Sequence, residues 1–156
     1  MKKIIYTSAD GRLCIVHPAD KSVIERAQGR TLTDKEYEDR VWEKSVPADA
    51  ILPASIEDDV IPGDRYFRDA WKANTNLIEV DHEKACSIHM NNLRHERDEK
   101  LKALDIEFQI ALEKGDADAQ KAIAARKQQL RDMPTTFDLS AIKDLNALKA
   151  AKPDYL

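Results

Sequence analysis

Between residues 82 and 114, small or apolar side chains recur at Cys86, Met90, Leu93, Leu101, Leu104, Phe108 and Ala111, in steps of three, four or their sums. That is the period of one face of an α-helix, and no other feature leaves this chain fewer options. Asp81 is a good N-cap, and Glu83 sits in the first turn, where the helix dipole favours a carboxylate. At 1.5 Å per residue the helix is roughly 50 Å long. A chain of 156 residues cannot wrap all of that in its own globule. The apolar row breaks at Arg97, inside Arg94-His95-Glu96-Arg97-Asp98-Glu99-Lys100, a segment expected to be fully solvated.

Gly115-Asp116 closes this helix and opens the next, with glycine in the left-handed C-cap position and the aspartate as N-cap. Residues 117–131 are alanine-rich, with Ala119, Ala122, Ile123, Arg126 and Leu130 on one face. Small residues let two helices approach closely, so the pair is expected to form an antiparallel αα-hairpin ended by Met133-Pro134. A last short helix is expected from Ser140 to about Ala151.

The N-terminal part reads as β structure. Ile4-Ile5-Tyr6-Thr7 and Leu13-Cys14-Ile15-Val16-His17 flank an Asp10-Gly11 reversal, and Pro18, which cannot donate to a ladder, stops the second strand. A polar stretch follows over residues 20–32. Thr33-Asp34-Lys35-Glu36 is a capping box opening a helix to about Ser45, with Tyr37, Val41 and Trp42 on the side facing the hairpin. Pro47, Pro53 and Pro62 exclude a long helix over residues 46–64, and an edge strand fits around Ala50-Ile51-Leu52. The aromatic word Tyr66-Phe67-Arg68-Asp69-Ala70-Trp71 reads as a turn or short helix and supplies an apolar anchor. The fold class is α+β: a small N-terminal β-hairpin or sheet with a short helix over residues 1–80, a long αα-hairpin arm over 81–134, and a tail with a short helix over 135–156.

Twenty-five Lys and Arg against 29 Asp and Glu give a net charge of −4, which argues against a chain that mainly grips nucleic acid. Lys121, Arg126, Lys127 and Arg131 lend the second arm some basic character, but alternating charge on a helix is commonly a solvated face. No apolar run approaches a membrane span and no secretory leader is visible, so Cys14 and Cys86 are expected as free thiols in a reducing cytoplasm. His82, Cys86 and His89 share one helix face, the geometry by which helices present zinc. The plainer reading makes Cys86 a small buried hydrophobe flanked by surface histidines, and no metal or cofactor is assigned. Cys14 and His17 stand three apart on a strand and point to opposite faces. The carboxylates of Glu57-Asp58-Asp59 and of residues 96–99 read as solvated surface. Four scattered glycines make no phosphate loop, and no serine-nucleophile motif is present. The chain is not expected to be an enzyme.

The run Arg126-Lys127-Gln128-Gln129-Leu130-Arg131-Asp132-Met133-Pro134, with the helix from Ile123 that carries it, resembles the ending of phage tail assembly chaperones and tail-fibre assembly proteins. The stretch from Leu104-Asp105 to Gly115-Asp116 is similar to the first arm of their C-terminal helical hairpins. The opening Ile4-Ile5-Tyr6-Thr7, Asp10-Gly11, His17-Pro18 and the Phe67-Arg68-Asp69-Ala70-Trp71 word are similar to uncharacterised phage tail-gene products. The arm has no tryptophan before the hairpin and ends Lys152-Pro153-Asp154 where that pattern has a terminal Trp-Pro. The resemblance implies a tailed-phage protein with no catalytic residues, and a tail-associated structural component of the virion, present in the host cytoplasm during assembly, is the expected role. It would exist in several copies in a symmetric assembly and touch tail, portal or fibre proteins. The alternatives are a tail or tail-fibre assembly chaperone absent from the particle, or a small zinc- or nucleic-acid-binding regulator. Partner contacts are expected at Tyr66, Phe67 and Trp71 and along the Leu101, Leu104, Phe108 and Leu112 face.

Overall fold

The computed structural model describes residues 2–156, which form two compact units, residues 2–81 and 82–156. Strands and long helices together make the chain α+β. Among the described residues no helix is long and apolar enough to cross a membrane.

In the first unit, β1 (Lys3–Thr7) pairs antiparallel with β2 (Leu13–Val16), Ile5 opposite Ile15. Gly11 has φ +80°, which the reversal demands, and the Gly11 amide donates to the Ser8 carbonyl at 2.8 Å. On its other side β1 pairs with β3 (Ile51–Ile56), giving the antiparallel order β2-β1-β3. The ladder slips between Ile5 and Thr7, opposite Leu52 and Pro53. Leu52 has φ +49° there, a left-handed conformation costly to a side chain bearing Cβ. Pro53 on this edge strand has no amide to waste.

The polar stretch over residues 20–32 contains a helix, α1 (Lys21–Gln28), ended by Gly29 at φ +66°. It buries no residue, so its apolar pattern is too thin to announce it. Side-chain ties fix it: Lys21 to Asp34 at 2.7 Å, and the Glu25 carboxylate accepting from the Leu32 amide at 2.9 Å. The capping box opens α2 (Asp34–Ser45) as its residues require, with the Thr33 hydroxyl accepting from the Glu36 amide and Glu36 accepting from the Thr33 amide. Val41 is buried and Tyr37 half-buried, but Trp42 faces solvent.

Residues 71–80 form a second hairpin, β4 (Trp71–Asn74) and β5 (Leu77–Val80), which the aromatic word does not reveal. Its two-residue turn has no glycine; Thr75 supplies the positive φ, at +53°. The core of this unit is Ile4, Ile5, Leu32, Val41, Ile56, Phe67, Ala70 and Trp71.

In the second unit α3 (His82–Glu113) and α4 (Ala117–Thr136) run antiparallel. Gly115 at φ +69° closes α3, and the Asp116 carboxylate accepts from the Ala119 amide to open α4. Pro134 does not end α4, which continues to Thr136. The missing amide costs one bond in the last turn, and Phe137 N–H to the Met133 carbonyl at 2.9 Å closes the end. The last helix, α5 (Leu145–Ala150), is shorter than the sequence suggests because the Asp144 side chain caps it, accepting from the Ala147 amide at 2.7 Å. The tail is part of the same compact unit as the hairpin.

Candidate protein-interaction surface

The arm is built from two helix faces and a strap. Leu93 and Ala111 of α3 and Ile123, Leu130 and Met133 of α4 are buried along the seam, and Ala85 is buried near the start of α3. Residues 137–156 lie back along α3 as the strap, burying Leu139, Leu148, Pro153 and Leu156. Three side chains of α3 grip the strap by its backbone. His82 Nε2 donates to the Ile142 carbonyl at 2.7 Å, His89 Nε2 to the Ala151 carbonyl at 2.7 Å, and Lys100 Nζ to the Leu156 main-chain oxygen. Glu96 adds an ion pair with Lys152. The strap therefore runs parallel to α3 and reaches Lys100.

Two expectations change. The segment 94–100 is not wholly solvated, because Glu96 and Lys100 hold the strap and Arg97 is half-buried. The histidines are not surface flanks of a buried cysteine: His89 is only 4% exposed, and both rings serve carbonyls some 60 residues away in sequence. Cys86 Sγ lies 3.8 Å from the His82 ring nitrogens and 3.7 Å from the Leu139 carbonyl, and burial pushes its thiol up. Among the described residues no group of three His, Cys, Asp or Glu side chains is placed to hold a metal ion. Cys14 and Cys86 are both free thiols.

Phe67 and Trp71 are core residues of the first unit, and Tyr66 meets Phe67 edge-on at 4.7 Å between ring centroids. Leu101, Leu104 and Phe108 are half-buried along α3. Phe108 lies under the Lys127 ammonium, 5.3 Å from the ring centroid, and Lys127 also pairs with Asp105. Leu104 and Leu130 line a groove of about 400 Å³, with Lys100, Glu107, Arg126 and Tyr155 around it. Of the expected contact residues on α3, only Leu112 is open to solvent, at 57%.

The open apolar surface of α3 is instead Ile106, 65% exposed, and Ile110, 46% exposed. Their signal in the sequence is a second row, Glu99, Ala103, Ile106, Ile110 and Glu113, spaced four, three, four and three. It escapes notice beside the longer row through Leu101, Leu104 and Phe108 because only its two isoleucines are strongly apolar. Arg126, expected with the small residues on the buried face of α4, is exposed at the groove, and Ala122 is exposed too. Comparison of the chain with protein-family models, curated proteins and solved structures gives no match.

Proposed function

We propose that this chain is a non-enzymatic protein of a tailed bacteriophage that works through protein–protein contacts, as a tail-associated component of the particle. The observation that carries the reading is the part of α3 beyond Lys100. Ile106, Ile110 and Leu112, past the point where Lys100 meets the Leu156 main-chain oxygen, stand open on an otherwise well-capped, well-packed helical hairpin. Apolar side chains of that size on the far turns of a helix are worth burying against another protein. The similarity of residues 126–134 to the endings of tail assembly proteins supports placing that partner in a phage tail.

Quantitative mass spectrometry of purified particles tests this. A fixed ratio to tail or portal proteins is the expected result. Absence from particles with abundance in infected lysate would replace it with the assembly-chaperone reading, which the same similarity supports.

A further inference from the structure

His82, Cys86 and Met90 stand at successive turns of α3, four residues apart, and follow one another along a single ridge of the helix. Cys86 and Met90 both line an open cleft of about 520 Å³, whose other wall is made by Phe137, Asp138, Leu139 and Ser140. The Cys86 sulfur lies 3.8 Å from each ring nitrogen of His82. That ring is already oriented. Nε2 donates to the Ile142 carbonyl at 2.7 Å, so in the neutral imidazole the lone pair is on Nδ1. A backbone carbonyl behind the far nitrogen is the common support of a metal-binding histidine.

We propose that His82, Cys86 and Met90 bind a soft monovalent metal ion, copper(I), through imidazole nitrogen, thiolate and thioether. An ion bonded at about 2.3 Å to sulfur and about 2.0 Å to nitrogen spans a gap of 3.8 Å when its bonds open to roughly 120°, the angle of a three-ligand site. Met90 is unbranched and flexible, and its sulfur reaches in from the next turn as the third ligand. The Cys86 thiol gives its proton to water as the metal–sulfur bond forms. Charge and softness select the ion. One thiolate with two neutral donors cancels a single positive charge, so the half-buried complex is neutral. A divalent ion would leave a positive charge facing Arg94 in the cleft and the Lys143 ammonium, whose field reaches the Cys86 thiol. The carboxylate that could offset it, Asp138, is turned to the Ser140 amide and hydroxyl at 2.8 and 3.0 Å. Two sulfur donors in three favour copper(I) over a hard cation. Bound there, the ion draws electron density from the imidazole and strengthens its hold on the Ile142 carbonyl, tying the strap to α3. The site lies within the second unit and stands independently of the phage assignment.

Anaerobic titration of the full chain with copper(I), in competition with a chromogenic copper(I) chelator, tests it. Cys14→Ser is the reference, because it removes the other thiol. The reference should bind one ion per chain, and adding Cys86→Ser should abolish binding. Met90→Leu keeps size and apolar character, and circular dichroism should show it folded. It should weaken binding about tenfold or more, since even groups that only support a metal ligand cost that much. Zinc in place of copper(I) should bind far more weakly. With copper(I) bound, hydrogen exchange of the reference should slow over residues 139–143. A reference that takes up no copper(I), zinc bound as tightly as copper(I), or a Met90→Leu affinity equal to that of the reference overturns the proposal, the last by reducing the site to a single thiol.

Discussion

His89 Nε2 and the carbonyl oxygen of Ala151 meet at 2.7 Å, inside a unit where His89 is almost wholly buried. One side chain of a long helix thus satisfies a backbone acceptor of a segment that has little regular structure of its own. Replacing it by alanine leaves that carbonyl without the imidazole and opens a space beside α5. His89→Ala should cost about 2–3 kcal/mol, from an unmade buried hydrogen bond plus lost packing. Urea denaturation measures the loss. Hydrogen exchange should show the strap amides of residues 145–156 opening first, and an unchanged strap would refute the part given to His89.

Two exposed carboxylates make the first unit sensitive to acid. Glu36 is held down to about 2 by the Thr33 amide, then by Arg30 and the Thr33 hydroxyl. Asp10 is held down to about 2 by the Ser8 hydroxyl and then Arg12. As pH falls, the unfolded chain takes up these protons first, near the ordinary values of 4.5 and 3.8. The stability they contribute is full above that range and drains away as pH drops towards about 2. Denaturation midpoints should fall between pH 5 and 2, about the range where such carboxylates titrate. Glu36→Gln and Asp10→Asn should flatten that fall, and an equal slope in the variants would count against this origin.

Leu52 and Thr75 occupy left-handed backbone conformations, at φ +49° and +53°. Both side chains face solvent, so glycine there loses little packing. Leu52→Gly and Thr75→Gly should each raise stability by about 1 kcal/mol, the relief of Cβ strain less the entropy glycine adds to the unfolded chain. Thermal melts decide it, and a drop at Thr75 would mean that its turn does not hold the left-handed residue.

Burial holds the Cys86 thiol above its ordinary 9.0. Alkylation of Cys86 by iodoacetamide near neutral pH should be slow, should quicken as pH rises past that value, and should become fast in urea. Rapid labelling of the native protein at neutral pH would place the thiol in a different environment.

Much of the framework was legible because local chemistry forces it. Asp10-Gly11 between β-branched runs can only reverse, Thr33 and Glu36 satisfy each other's amides, and Gly115-Asp116 ends one helix and starts the next. These signals lie within a few residues of one another, where side chain and backbone decide the outcome together. Other elements had no such local mark. The helix over Lys21–Gln28 buries nothing and is held by Lys21 and Glu25 reaching to neighbours. The hairpin Trp71–Val80 turns on a threonine that its sequence does not favour. Pro134, a breaker by rule, costs α4 one bond near its end without stopping it, because Phe137 closes the last turn on the Met133 carbonyl.

For the candidate surface the division is sharper. Helical period by itself determined that α3 is long and amphipathic, and that it carries more apolar residues than one partner helix can cover. Which of its rows meets α4, which holds the strap and which stays open was decided only by tertiary structure. His82, His89 and Lys100 bind main-chain oxygens at Ile142, Ala151 and Leu156. Every residue has such an oxygen, so no residue type in the strap announces the contact; only the path of the chain brings donor and acceptor together.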